Sequence, residues 1–164
     1  MDIGIIGCGA IANIIVNNIA AEDNGINVKY FFDNCVERAE NLADISGGVA
    51  VINFEDMLND VDLVLECASP DSVKEYAPIV LEHGIDMIIM SIGAMLDKDF
   101  YSLVLNIAKK NNAKIHLPSG AVVGLDGIKA VSDFNLQEVK LVTRKSPKSL
   151  GKDIDCEEIL FEGK

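Results

Sequence analysis

Short apolar runs alternate along the chain with longer segments in which apolar residues recur at the spacing of a helix. The first two runs are residues 3–6 and 28–32, and residues 11–21 between them place four isoleucines on one helical face. Four more runs follow, each after a helical segment, at residues 49–51, 63–67, 86–90 and 115–117. Strand, helix and strand in repetition build a parallel sheet covered on both faces. The pattern therefore predicts a Rossmann-type, doubly wound α/β domain with six mainly parallel strands, complete near residue 118.

The pattern changes after this domain. A Gly-rich connection at 119–124 leads into one predicted helix, and two later segments alternate polar with apolar residues, as strands with one solvated face do. These elements are predicted at 125–132, 139–143 and 158–161. One helix and two strands bury too little apolar surface for an independent core. We therefore expect residues 1–118 to form the first domain, and 119–164 to form the incomplete start of an α+β second domain.

Charge and hydropathy exclude two classes of partner. Asp and Glu number 26 against 14 Lys and Arg, for a formal net charge of −12, which repels nucleic acid and anionic membranes. The longest apolar stretch, residues 85–96, is interrupted by Asp86, Ser91 and Gly93 and is too short to cross a bilayer. The N-terminus lacks the basic segment of a signal peptide. We expect a cytoplasmic protein whose partner is a small molecule.

The cysteines and histidines do not suggest a metal centre. The four cysteines form no C-x-x-C pair and no ligand-like spacing with the two histidines, so we expect neither a metal site nor a disulfide framework. His83 is placed at a helix end and His116 in a strand, where structural roles are favoured over catalysis.

A glycine motif connects the first strand to the first helix. The dinucleotide fingerprint G-x-G-x-x-G/A needs a glycine for a tight turn, a second to let the backbone approach a pyrophosphate, and a small residue for close packing. Gly7, Gly9 and Ala12 occupy these positions. Ala10 and Ile11 begin the helix, whose free N–H groups favour phosphate. The motif predicts a dinucleotide site.

An acidic residue follows at the expected distance. Asp33 ends the second strand, where a carboxylate about 20 residues beyond the fingerprint accepts hydrogen bonds from the adenosine ribose hydroxyls. The same charge repels a 2′-phosphate, so NAD is favoured as cofactor, with NADP possible. The alternative is that Asp33 only caps the next helix at the surface.

Small residues follow the fourth and fifth strands. Ala68, Ser69 and Ser91 leave these strands at the carboxyl edge of the sheet, where ligands of open α/β sheets bind. One interpretation is that these small residues allow a flat nicotinamide to lie close to the backbone. The alternative is that they only favour the turns that follow the strands. Further along, Arg144 and Lys145 either bind a substrate carboxylate or form a solvated strand end.

Taken together, these motifs resemble the archaeal and bacterial L-aspartate dehydrogenases, from the first strand nearly to the last residue. The Ser-Gly-Ala…Gly-Leu-Asp segment is the most specific part of the resemblance, because Rossmann proteins in general do not share it. The matching segments are Gly7-Cys8-Gly9-Ala10-Ile11, Glu66-Cys67-Ala68-Ser69, Ser91-Ile92-Gly93-Ala94, Ser119-Gly120-Ala121 with Gly124-Leu125-Asp126, Thr143-Arg144-Lys145 and Phe161-Glu162-Gly163. Ala12 departs from the commoner Gly of the family.

The resemblance implies oxidation of L-aspartate to iminoaspartate with NAD or NADP, in pyridine nucleotide biosynthesis. It also implies that Ala121 touches the cofactor near the nicotinamide. Family members continue beyond the Phe-Glu-Gly segment with a subdomain that carries a cofactor-binding Asn and the catalytic His, whereas this sequence ends at Lys164. Neither His83 nor His116 matches that motif, so the catalytic residue is unknown. We expect these 164 residues to bind NAD and to be nearly inactive alone.

Two other readings stay open. Homoserine dehydrogenase and dihydrodipicolinate reductase share this architecture and act on other small molecules, which the fold alone does not separate. The second alternative is a non-catalytic NAD-sensing module, in which bound NAD changes the oligomeric state of the protein. Exposed strand edges in the incomplete second sheet favour self-association in either case, and we expect a homodimer.

Overall fold

The computed structural model describes residues 1–22, 25–119, 125, 128–129, 137–140 and 142. Its strands are β1 (Asp2–Ile6), β2 (Asn27–Phe32), β3 (Val49–Ala50), β4 (Leu63–Glu66), β5 (Asp86–Ile89) and β6 (Ile115–His116). Its α-helices are α1 (Ala10–Ala21), α2 (Val36–Ser46), α3 (Pro70–Glu82) and α4 (Lys98–Lys110), with single 3₁₀ helices at Phe54–Met57 and Ile92–Leu96. The succession of strands and helices predicted for residues 1–118 is confirmed.

The six strands form one sheet in the order β3-β2-β1-β4-β5-β6, and every neighbouring pair is parallel. The strand order reverses between β1 and β4, which lie side by side although they are distant in sequence. This is the doubly wound Rossmann topology, with its ligand-binding crevice at the carboxyl ends of β1 and β4. The predicted fold class is confirmed.

Two apolar layers enclose the sheet. Successive strand residues face opposite sides, so Ile5 packs in the core with Val16 of α1 and Leu42 of α2, while Ile6 packs in the core with Val80 of α3. Both β1 residues are buried almost completely. The carboxyl end of β1 is therefore rigidly held from both faces, and the loop that follows it starts from a fixed position.

The helix ends follow the local sequence. Asp97 accepts a hydrogen bond from the Phe100 amide at 3.1 Å and caps α4, and Gly47 ends α2 with a left-handed φ of 74°. The 3₁₀ helix Ile92–Leu96 was not predicted. It forms because the Ala94 amide bonds the Ser91 carbonyl and the Asp97 amide bonds the Ala94 carbonyl, three residues back in each case.

The backbone contacts divide the chain into residues 1–123 and 124–164. In the second unit Leu125, Ile128 and Lys129 are helical, within the helix predicted at 125–132. The strand predicted at 139–143 is wrong at its described positions: 139, 140 and 142 have no regular structure, and Val139 and Val142 are exposed rather than packed on a sheet. Ala121, Arg144, Lys145 and the strand predicted at 158–161 lie outside the described residues, and the proposed domain boundary stays a prediction.

Within the described part of the chain, no helix is both long and apolar enough to span a membrane.

Candidate functional site

Gly7 sits at the turn that follows β1 and contacts the segment that follows β4. Its φ is +87°, a conformation that residues with a side chain rarely adopt. A Cβ at this position would lie 2.6 Å from both the amide nitrogen and the Cβ of Ala68. Only glycine lets the two strand exits pack this closely, as the fingerprint predicts.

Gly9 precedes α1 and faces open space. A Cβ built on it meets no atom within 4 Å. No side chain of the described residues caps α1, and its first turn carries no acidic residue. Among the described residues, no side chain therefore competes with an anion for the N–H groups at this helix end. Ala12, in the third motif position, is completely buried against the sheet.

A cleft of about 470 Å³ opens beside this loop. Its lining combines the glycine loop and α1 with one face of α2, and consists of Cys8, Gly9, Ala10, Asn13, Arg38, Asn41 and Leu42. Sequence reasoning missed Arg38 and Asn41. Both residues lie on the first two turns of α2, which begins three residues after Asp33, and this position could have identified them in the sequence.

Asp33 ties the glycine loop to the end of β2. Its Oδ2 accepts a hydrogen bond from the Cys8 amide at 2.7 Å, and its Oδ1 accepts one from the Cys35 amide at 2.8 Å. Because each carboxylate oxygen has two acceptor positions, these bonds leave capacity for ribose hydroxyls. The cleft lining does not include Asp33 itself, so its ribose role stays a prediction.

Ser69 and Ser91 both have partners within the chain. The Ser69 Oγ accepts a hydrogen bond from the Ser72 amide at 3.2 Å and caps α3. The Ser91 hydroxyl donates to Glu66 at 2.8 Å. Ala68 is exposed. The three predicted contacts thus lie at the carboxyl edge of the sheet, and the hydroxyls of the two serines hold local structure there.

Glu66 is the functional candidate that sequence reasoning did not single out. It ends β4 and is fully buried, the only buried acidic or basic residue of the described core. Its Oε1 accepts hydrogen bonds from the Ala68 amide at 2.7 Å and the Ser91 hydroxyl at 2.8 Å, and its Oε2 accepts one from the Ser91 amide at 3.0 Å. The sequence feature that could have identified Glu66 is an acidic residue at the end of an otherwise apolar strand. This carboxylate joins the exits of β4 and β5.

The two histidines are remote from the glycine loop. His83 Nδ1 lies 2.8 Å from the Ile79 carbonyl at the end of α3. His116 Nε2 lies 3.7 Å from an Asp86 carboxylate oxygen, and the residue lines a separate cleft beside β5 and β6. Their contacts fit the structural roles that the sequence favours.

Two thiols near the site are held in the protonated form. Burial, followed by the charge of Asp33, raises the pKa of Cys8 to about 12. Burial, followed by the charge of Glu66, raises the pKa of Cys67 to about 12. Because only the thiolate is nucleophilic, neither thiol is a reactive nucleophile near neutral pH.

We therefore expect N-ethylmaleimide at pH 7.5 to modify Cys35, which is exposed, much faster than Cys8 or Cys67. Since their pKa values lie above the working pH, thiolate is almost absent at both positions, and it increases only as the pH rises toward 12. Peptide mass spectrometry after timed labelling measures each rate. Modification of Cys8 as rapid as that of Cys35 would contradict the buried, protonated thiol.

The cap of α3 gives a second prediction. We expect Ser69→Ala to lower the free energy of unfolding by about 1 kcal/mol, because it removes the side-chain acceptor for the Ser72 amide. Ser72→Ala is the matched control, since it makes the same change on the same helix and keeps the cap. Urea unfolding of both variants is the measurement. Equal stability of the two variants would show that the cap contributes nothing.

Comparison with known proteins places these features in a family context. A family model described as the NAD-binding domain of homoserine dehydrogenase matches residues 7–118. The chain is 46% identical over its full length to the L-aspartate dehydrogenase of Methanothermobacter thermautotrophicus, of which it covers 64%. It is 39% identical over 163 residues, 99% of the chain, to that of Methanospirillum hungatei, of which it covers 63%. The chain thus spans slightly less than two thirds of the length of these relatives.

Solved structures agree with this similarity. The crystal structure of aspartate dehydrogenase from Thermotoga maritima superposes with a TM-score of 0.68 at 32% identity, over 99% of this chain and 64% of that one. GenD2 from gentamicin A biosynthesis, solved in complex with NAD, superposes with a TM-score of 0.65 at 13% identity, over 71% of this chain and 34% of that one. The second likeness concerns the fold alone.

Proposed function

Because the chain belongs to the family of NAD-binding domains typified by homoserine dehydrogenase, and is similar along its whole length to L-aspartate dehydrogenases, we propose that it is the NAD-binding part of an L-aspartate dehydrogenase. The substrate would be a small amino acid, and the proposed reaction is oxidation of L-aspartate to iminoaspartate. Bound NAD would supply the acceptor for the hydride.

The glycine loop carries this proposal. Gly7 closes the turn against Ala68, and the space beside Gly9 lets a pyrophosphate approach the uncapped start of α1. The amides of Gly9, Ala10 and Ile11 would hold the phosphates. The donors present are backbone N–H groups without a competing carboxylate in the first turn, which suits a doubly charged diphosphate.

The remaining contacts follow from the crevice. We propose that Asp33 binds the adenosine ribose, and that Ala68, Ser69 and Ser91 flank the nicotinamide. Ala121 is included among the proposed nicotinamide contacts only because of the family resemblance. The charge of Asp33 favours NAD over NADP. No described residue is assigned as the base that accepts the proton from the substrate amino group.

A domain boundary at residue 118, a homodimer and a cytoplasmic location complete the proposal. The first rests on the end of the six-stranded sheet at β6, and the other two rest on the sequence pattern alone.

Calorimetric titration of the 164-residue chain with NADH and NAD⁺ tests the binding step. We expect saturable heat with both, and no effect of nucleic acid at the same concentration. A titration without heat from either form of the cofactor would overturn the proposal at its first step.

Turnover is tested separately by NADH formation from NAD⁺ with L-aspartate, L-homoserine and other amino acids. We expect the 164-residue chain to be nearly inactive, and a version extended by the remaining third of its relatives' length to prefer L-aspartate. Preference for L-homoserine would assign the chain to another dehydrogenase. If NAD⁺ instead changes the oligomer size without any turnover by the extended protein, a sensing module is the better description.

A further inference from the structure

The carboxylate of Glu66 is a buried negative charge next to the proposed nicotinamide site. We propose that Glu66 is a specificity-determining residue that favours the oxidised cofactor, whose nicotinamide ring carries a positive charge, over the reduced cofactor, whose ring is neutral. The inference rests on the proposed function, since it concerns the same cofactor.

The hydrogen-bond pattern fits an ionised carboxylate. All three partners are donors: the amide of Ala68, the amide of Ser91 and the hydroxyl of Ser91. A carboxylate that only accepts hydrogen bonds satisfies all three, whereas a protonated one would bring a hydrogen toward a donor or need the hydroxyl to turn.

Among the residues that the structure describes, this charge has no cationic partner. Glu66 is fully buried, and none of the ion pairs among the described residues involves it. Burying a carboxylate without a cation is unfavourable, and three neutral donors compensate only part of the loss of hydration. An apolar residue would complete the β4 end of the core more simply. The arrangement is explained if a positive group approaches this position when ligand binds.

The position of Glu66 points to the nicotinamide end of the crevice. It pairs with Ile6, the last residue of β1, and with Ile89, the last residue of β5. Its hydrogen bonds fix Ala68, which packs against Gly7, and Ser91. The carboxylate therefore lies at the point where the exits of β1, β4 and β5 meet, beside the strand-order reversal at which dinucleotides bind across the sheet.

The size of the effect follows from Coulomb's law. Unit charges about 10 Å apart in a medium with an effective dielectric constant of about 20 change a dissociation constant by roughly tenfold. We therefore expect the ratio of the NADH Kd to the NAD⁺ Kd to fall by roughly tenfold in Glu66→Gln. A residue that only held the two loops in place would weaken both forms together and leave the ratio unchanged.

The experiment is calorimetric titration of the 164-residue chain and its variants with NAD⁺ and with NADH. Asp62→Asn is the matched control, because Asp62 precedes the opposite end of the same strand, is exposed, and accepts a hydrogen bond from the Asp2 amide that Asn can also accept. It removes one charge about 13 Å along the strand from Glu66, at 3.3 Å per residue. We expect its ratio to equal that of the unaltered chain.

A second variant keeps the inference testable if Glu66→Gln does not fold. Glu66→Gln directs an amide N–H toward the Ser91 amide, so circular dichroism must first establish that it is folded. Glu66→Met removes the same charge without this repulsion, and we expect the same fall in the ratio. Binding by these variants with an unchanged ratio overturns the inference and leaves the proposed function standing. Absence of binding by the unaltered chain overturns the proposed function, and this inference with it.

Discussion

Gly7→Ala should destabilise the domain by about 2–4 kcal/mol and abolish detectable NAD binding at the temperature where the unaltered chain binds. Two effects add at this position. A side chain at φ +87° is strained, and its Cβ would lie 2.6 Å from the Ala68 amide nitrogen. Because that nearest atom belongs to the backbone, the segment after β4 must shift. Overpacking of this kind typically lowers the free energy of unfolding by about 1–3 kcal/mol.

The same substitution two residues later should weaken NAD binding with little effect on stability. At Gly9 the φ is −85°, and a Cβ meets nothing within 4 Å, so we expect Gly9→Ala to change stability by less than about 1 kcal/mol. The methyl group would occupy the space proposed for the pyrophosphate. Loss of one charge-assisted hydrogen bond corresponds to about a 10- to 100-fold weaker NAD affinity.

Thermal unfolding and calorimetric titration of the two variants separate these outcomes. Each variant is the control for the other, because both replace a glycine of one loop with alanine. If Gly9→Ala binds NAD as tightly as the unaltered chain does, the glycine loop is not the phosphate site. Gly7→Ala that is as stable as the unaltered chain would mean that the exits of β1 and β4 do not pack as described.

The strands and helices could be predicted because each depends on local pattern. Apolar runs of three to five residues separated by helical periodicity define β1 to β6, and the fingerprint at Gly7 and Gly9 fixes where the first turn lies. Parallel strands joined by right-handed crossovers then leave few possible orders. The edge of the sheet that carries the crevice follows from that order.

The side-chain partners at this edge could not be predicted in the same way. The bonds of Glu66 to Ser91 join the exits of two strands, and depend on how β4 and β5 align. Arg38 and Asn41 line the cleft because of the rotation of α2 about its axis, which the position of Asp33 alone does not determine. The segment at 139–143 shows the reverse error: alternation of polar and apolar residues predicted a strand, but no regular structure occurs at its described positions.

The second large effect concerns Asp33, whose carboxylate has one structural and one proposed binding role. We expect Asp33→Ala to lower the free energy of unfolding by about 1–3 kcal/mol, because the buried Cys8 loses the acceptor for its amide at 2.7 Å. NAD affinity should fall by about 10- to 100-fold, the loss expected for charge-assisted hydrogen bonds to the ribose. NADP affinity should fall less, because the charge that repels a 2′-phosphate is removed while Arg38 remains in the cleft.

Asp44→Ala is the control for charge, because Asp44 is exposed near the far end of α2. We expect it to bind both cofactors like the unaltered chain. Titrations with NAD and NADP, made below the unfolding temperature of each variant, distinguish the two roles of Asp33. If Asp33→Ala loses stability but keeps both its NAD affinity and its NAD-to-NADP ratio, Asp33 only ties the glycine loop to β2. Arg38 and Asn41 of α2, which line the cleft, would then be the next residues to test for the cofactor preference.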